Sequence, residues 1–266
     1  MTSPQSRTSP TETGYADVNG LHLYYEVYGG PVSPDGPRPL VLLHGGMLTI
    51  DLNWADLIPT LAADRPVVGV EMQGHGRTAD IEREITPAVL ASDVVALLDH
   101  LGVARADVMG HSLGAAVTLE LAVHHGDRVG SVVPISGSVR PEGMHPDMSD
   151  PSTYATSTRM PTADDFAAFG EAYARLSPHP EKFQDFLTKL SASSSDLQGW
   201  SDEELAGITA RVLIVMGDHD FVTVAHGGLM LELIPGSRLA ILPGTTHMQA
   251  TRRTELLLPM LAGFLD

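Results

Sequence analysis

Within Val108-Met109-Gly110-His111-Ser112-Leu113-Gly114-Ala115-Ala116, one serine stands between two glycines in the spacing G-x-S-x-G. An apolar run, Asp107 to Met109, leads into it; a helical pattern from Leu113 to His125 leads out and closes at Gly126. A strand that turns straight into a helix holds the corner residue in a strained backbone conformation and presents its side chain at the sheet edge. Gly110 and Gly114 lack the side chains that would keep such a turn from closing. The helix N-terminus behind Ser112 favours negative charge developing there. Ser112 is therefore expected to be a nucleophile at the end of a buried strand.

The alternation of strand and helix extends both ways from this point. Leu40–Leu43, Val67–Val70, Val132–Ile135, Val212–Val215 and Leu239–Leu242 read as buried strands, and Tyr15–Asp17 and Leu21–Val27 flank the hairpin signal Asn19-Gly20. Thr86-Pro87 supplies an N-cap and a first-turn proline, after which Leu90, Val94, Leu97, Leu98 and Leu101 recur at helical spacing until Gly102. Such a chain predicts a parallel sheet covered on both faces. From Ser138 to Thr209 no strand pattern occurs; Asp164–Leu176, Pro180–Leu190 and Asp202–Ile208 read as helices punctuated by prolines. Residues 138–209 are thus expected to be a helical insertion within a core of residues 15–137 and 210–266. Residues 1–14, rich in Ser, Thr and Pro, read as a frayed tail and lack the apolar run of a secretory signal.

A serine hydroxyl is a weak nucleophile; it needs a base, and the base needs a group to orient it. His247 follows the last strand in Leu242-Pro243-Gly244-Thr245-Thr246-His247, and Gly217-Asp218-His219-Asp220 places two carboxylates after the strand before it. All three groups follow strand ends, in the order serine, acid, histidine.

With these residues in view, the sequence resembles the α/β-hydrolase fold superfamily over nearly its whole length. The resemblance implies an α/β fold with a mostly parallel eight-stranded sheet, helices on both faces and a helical cap. It also implies that Asp220, at the family's position two residues beyond Asp218, is the catalytic acid. Ile135-Ser136-Gly137-Ser138, where some relatives carry the acid instead, has no carboxylate. The oxyanion donors are expected to be the N–H of Leu113 and, by similarity in Leu43-His44-Gly45-Gly46-Met47, that of Gly46, with Met47 as the alternative. Glu71-Met72-Gln73-Gly74-His75-Gly76-Arg77-Thr78 resembles a structural turn of the family, with Glu and Thr where Asp and Ser are usual. Met47, His111, Met144, Phe221 and Met248 are candidates for the substrate pocket. His44 is expected to fix its loop, and Asn53-Trp54 is a candidate for ligand contact or packing.

Composition narrows the partners. The 266 residues carry 33 acidic against 16 basic side chains, a net charge of -17, and no cysteine. That excludes a thiol nucleophile and a disulfide scaffold, and argues against nucleic acid or an anionic membrane as partner. The apolar stretch Leu256–Leu265 is about half of the roughly twenty residues a membrane span needs, so a cytoplasmic protein with no membrane partner is expected. Twelve histidines include no H-x-x-x-H or H-E-x-x-H pattern, so neither a metal nor a cofactor is expected. The expected partner is a small or medium, mostly uncharged substrate, cleaved at an ester-type bond through an acyl-enzyme. A lactonase or carbon–carbon bond hydrolase of the same fold, and a small-molecule receptor that retains the triad, are the alternatives.

Overall fold

The computed structural model describes residues 8–148, 150–195 and 198–265. Its strands are β1 (Glu12–Val18), β2 (Leu21–Tyr28), β3 (Leu40–Leu43), β4 (Val67–Val70), β5 (Ala106–His111), β6 (Val129–Ile135), β7 (Arg211–His219) and β8 (Arg238–Thr246). The helices are α1 (Ile50–Trp54), α2 (Ile58–Leu61), α3 (Pro87–His100), α4 (Leu113–His124), α5 (Ala163–Leu176), α6 (Phe183–Ser195), α7 (Asp202–Ala206), α8 (Val224–Leu233) and α9 (Thr254–Leu265). One eight-stranded sheet runs in the order β1-β2-β4-β3-β5-β6-β7-β8. β1 and β2 pair antiparallel, as do β2 and β4; every pairing from β4 through β3 to β8 is parallel.

The two-residue alternation of a strand sends successive side chains to opposite faces. Val41, Leu43, Val108, Val132, Val212 and Ile214 meet α3, α4 and α8 in one core, with Leu90, Val94, Val117, Leu121 and Met230. Leu40, Leu42, Met109, Val133, Leu213 and Val215 meet α1 and α9 in the other, with Ile50, Trp54, Leu257 and Leu261. A sheet sealed on both faces needs the near-continuous apolar strands that the sequence displays.

The strand boundary at the N-terminus corrects the expected tail. β1 begins at Glu12, and Thr11 N and Oγ1 both donate to Val27 O, at 2.8 and 3.0 Å. Residues 12–14 therefore belong to the sheet, because the second strand offers paired backbone groups as far as Val27 whatever the local composition. Residues 1–7 of that expected tail lie outside the described residues. Among the described residues, the chain between β6 and β7 forms short 3₁₀ turns at Pro141–Gly143, Pro146–Met148 and Pro151–Thr153, then α5, a further 3₁₀ turn at Pro180–Lys182, α6 and α7. Among its described residues, the strand-like contact is an antiparallel bridge between Met144 and Val222. Among the described residues, no helix is long and apolar enough to cross a membrane.

The turn after β4 has the structural character expected of it. Glu71, fully buried, accepts from Arg77 N at 2.6 Å and from Arg77 Nη1 at 2.9 Å, while Thr78 Oγ1 donates to Glu71 O and accepts from Tyr24 N. Burial pushes the Glu71 carboxyl up; the Arg77 contacts pull against it, and it comes to rest at about 7. The unfolded carboxyl titrates near 4.3, so the folded state holds the extra proton between these values. This contribution to stability is present below pH ~4.3 and is lost as pH rises through 7. The melting temperature should therefore fall between pH 5 and 8, and Glu71→Gln should flatten that slope. An identical slope in the variant would contradict the assignment.

Candidate active site

Ser112 occupies the corner between β5 and α4 with φ 55° and ψ -112°, a left-handed conformation that costs a non-glycine residue of the order of 1–3 kcal/mol. The surrounding backbone imposes it. A Cβ on Gly110 would lie 2.0 Å from Gly114 O, and one on Gly114 would lie 2.1 Å from Leu43 O. Only glycines let the corner close against the end of β3. Gly114→Ala is accordingly expected to lower stability by at least about 1–3 kcal/mol, read from denaturant melts, and to lower serine reactivity with it. A fully stable variant would show that the corner has more room than this geometry allows.

The two carboxylates after β7 do different things. Asp218 is exposed and accepts from Gly244 N and Thr245 N at 2.9 and 3.0 Å, tying the ends of β7 and β8 together. Asp220 is fully buried, and its Oδ1 lies 2.7 Å from His247 Nδ1. Phe221 N donates to Oδ1 at 2.7 Å, Gly217 N to Oδ2 at 3.1 Å, and Ser136 Oγ makes a short bond to Oδ2. Burial raises the Asp220 carboxyl, but the charge and hydrogen bond of His247 and the Ser136 and Gly217 donors outweigh it, holding it at about 2. With Nδ1 paired to Asp220, His247 keeps Nε2 as its second ring nitrogen.

Ser136 is a site residue that the sequence reading passed over. It directly follows β6, next to β7 in the sheet, and has φ 57°. Its visible signal was a small hydroxyl residue at a strand end beside the acid-bearing strand. Ser136→Ala removes a hydrogen bond to a charged group, worth about 1.5–3 kcal/mol. A depressed carboxyl pKa contributes stability that is present above the unfolded value of ~3.9 and lost as pH falls through 2. The variant should therefore lose stability at pH 7 and show a weaker further loss on acidification, both readable from thermal melts.

The other candidates fall around this group. The Phe221 ring stacks on His247 with centroids 3.9 Å apart and planes 10° from parallel. Met47, at φ 63°, and Met248 pack with Leu48, Leu52 and Phe169 of α5. Met144 bridges Val222 through its backbone. His111 is buried with its nitrogens on Asn53 Oδ1 and His247 O, which leaves it no polar atom for a ligand. Asn53 is spent on protein contacts in the same way, and Trp54 is fully buried in the core. His44 accepts from Met72 N at 3.1 Å and fixes its loop, as expected. Gly45 N is committed to Asn53 Oδ1, whereas the N–H groups of Leu113, Gly46 and Met47 have no acceptor among the described residues. A Cβ on Gly45 would lie 3.4 Å from Ser112 Cβ, so this loop borders the serine. Those three N–H groups are thus available to a developing oxyanion.

The segment between β6 and β7 is fastened to the acid-bearing loop. Arg159 Nη1 donates to Asp220 O at 2.7 Å, His145 N to Phe221 O at 2.6 Å, and Thr223 N to Gly143 O at 2.9 Å. Leu190 of α6 reaches Gly46, where an added Cβ would lie 3.3 Å from its Cδ2. None of these contacts has a local sequence signal. Among the described residues, no group of three or more His, Asp or Glu side chains is placed to hold a metal ion.

A family model described as the alpha/beta hydrolase family matches residues 40–257. A Caulobacter vibrioides protein named "Putative carbamate hydrolase RutD" is 37% identical over 126 residues, 47% of this chain and 45% of that protein. The match thus spans less than half the length of that relative. An enol-lactonase structure from Burkholderia xenovorans LB400 shares 25% identity and a TM-score of 0.74 over 94% of this chain and 99% of that one. The meta-cleavage product hydrolase CumD from Pseudomonas fluorescens IP01, at 18% identity, TM-score 0.77 and 96% and 97% coverage, shares the fold.

Proposed function

The chain belongs to the alpha/beta hydrolase family, and on that premise we propose that it is a serine hydrolase that cleaves an ester-type bond of a small or medium, mostly uncharged substrate through an acyl-enzyme. The observation that carries this reading is the buried 2.7 Å pair between Asp220 and His247 Nδ1 on loops that follow neighbouring strands. That pair fixes the imidazole with its proton on Nδ1 and its basic nitrogen on Nε2. Ser112 Oγ attacks the carbonyl carbon and gives its proton to His247 Nε2. The oxygen that gains negative charge is met by Leu113 N–H and Gly46 N–H, with Met47 N–H as the alternative to the latter. The alcohol leaves with the proton from His247; water then attacks the acyl-enzyme, with His247 as base, and the acid is released.

Residues 138–209 act as a lid over this site. Phe169, Met47, Leu48 and Met248 supply its apolar side, and Leu190 closes down on Gly46. Apolar walls favour an uncharged acyl group and exclude bulk water. A lactone, which is a cyclic ester opened by the same steps, is a second reading, supported by the likeness to the enol-lactonase over nearly the whole chain. A panel of p-nitrophenyl esters of increasing acyl length and of lactones of increasing ring size tests both. Turnover on the order of 1–1000 per second for one class is expected of an enzyme. One equivalent of product with no further turnover would instead support a receptor that retains these residues.

A further inference from the structure

A buried chain of polar groups joins the loop after β3 to the loop after β8, and the steps above leave it unused. Gly45 N donates to Asn53 Oδ1 at 2.8 Å, and Asn53 Nδ2 donates to Thr251 Oγ1 at 3.1 Å. His111 Nδ1 lies 3.2 Å from the same Asn53 Oδ1, and its Nε2 lies 3.1 Å from the His247 carbonyl. Asn53, His111 and Thr251 are 4%, 1% and 3% exposed, so water does not compete for these bonds. The Gly45 N–H can only donate, which fixes the Asn53 amide with Oδ1 toward Gly45 and Nδ2 toward Thr251. Oδ1 therefore accepts from Gly45 and lies within hydrogen-bond reach of His111 Nδ1. The His111 ring also packs against that of His247, with centroids 4.9 Å apart.

We propose that Asn53 and His111 act as one positioning unit that sets the oxyanion loop at a fixed distance from the base. The inference rests on the serine-hydrolase reading, because the two parts joined are the donor loop and the general base of that reading. Among the described residues, neither hydrogen-bonds to Ser112 Oγ or His247 Nε2. Gly45 immediately precedes the donor Gly46, and the His247 carbonyl belongs to the base itself, so a slip in the unit displaces one relative to the other. Burial, and then the neighbouring His247, hold the His111 ring down to about 3. The ring is therefore neutral at working pH and carries a single N–H, which it donates either to Asn53 Oδ1 or to the His247 carbonyl, and the packing of its ring on that of His247 completes the link.

The test uses the full chain with His111→Ala, Asn53→Ala, their combination, and His111→Asn, whose amide stands where Nδ1 stood. Two readouts are compared: kcat and KM for p-nitrophenyl acetate, and hydrogen exchange at the Gly45 amide. Each single alanine variant should lower kcat by about tenfold to a hundredfold with KM within about threefold, as misplacement of reacting groups does. The double variant should be no slower than the worse single one, because the two residues act as a unit. Gly45 exchange should quicken by about tenfold or more in His111→Ala, although His111 is not its partner, and His111→Asn should restore protection. Unchanged Gly45 exchange in His111→Ala, or losses that multiply in the double variant, would overturn the proposal. If the parent hydrolyses no ester, the serine-hydrolase reading falls alone, and Gly45 exchange still decides whether the unit exists. Should His111→Ala not fold, Asn53→Ser and His111→Gln carry the same comparison.

Discussion

Ser112→Ala is expected to lower kcat for any ester or lactone the parent hydrolyses by on the order of 10⁴ to 10⁶, with KM little changed. The size of the loss follows from the chemistry. Without Oγ no acyl-enzyme forms, and only water placed by chance against bound substrate remains. The N–H groups of Leu113 and Gly46 are untouched, so residual catalysis over solution hydrolysis should survive through oxyanion stabilisation alone. A second readout is covalent: a fluorophosphonate should label the parent stoichiometrically and the variant not at all. Alanine also relieves nothing at the corner, because the backbone at φ 55° is imposed by Gly110, Gly114 and Leu43 around it. Folding should therefore survive the substitution, and a folded variant with near-parental turnover would remove Ser112 from the mechanism.

Asp220→Asn carries the next largest expected effect, a loss of about 10⁴ in kcat. The carboxylate does two jobs that an amide cannot do together. Its Oδ1 accepts from His247 Nδ1 at 2.7 Å, which keeps the basic lone pair on Nε2. In the proposed mechanism its negative charge would stabilise the imidazolium formed when Ser112 gives up its proton. Four donors converge on the two oxygens, from His247, Phe221, Gly217 and Ser136. An amide places an NH₂ against some of them, so the ring is drawn toward the wrong tautomer. Fluorophosphonate labelling should slow in proportion to the loss of kcat. The control is Asp218→Asn, which keeps an acceptor for part of the Gly244 and Thr245 contact and should cost activity little. If the order of the two effects were reversed, the acid would be Asp218.

Much of this arrangement is legible in the sequence because it is local. The corner around Ser112 is written in two glycines and one serine, and the backbone contacts that exclude any Cβ there explain why no other residues fit. β3 and β4 begin and end where their apolar runs do, since both faces of these strands are buried. The turn from Glu71 to Thr78 closes on itself through bonds spanning six and seven residues, a range within which pattern and structure coincide.

What the amino-acid order determined by itself is the alternation of strand and helix, the serine at a strand-to-helix corner, and a carboxylate and histidine waiting after later strands. The tertiary structure decided which groups meet. Asp218 and Asp220 are two residues apart and chemically identical, yet one faces solvent and the other His247, because the end of β7 shifts register against β8 between Gly217 and His219. Ser136 reaches the acid only because β6 and β7 are neighbours in the sheet. Asn53 and Thr251 are joined across 198 positions of sequence, and Arg159 reaches Asp220 O across 61. Such contacts depend on the order in which strands pair and on how loops of unrelated composition are brought to one edge. Local propensity carries no record of either, since each residue's own pattern is satisfied whichever partner the fold supplies.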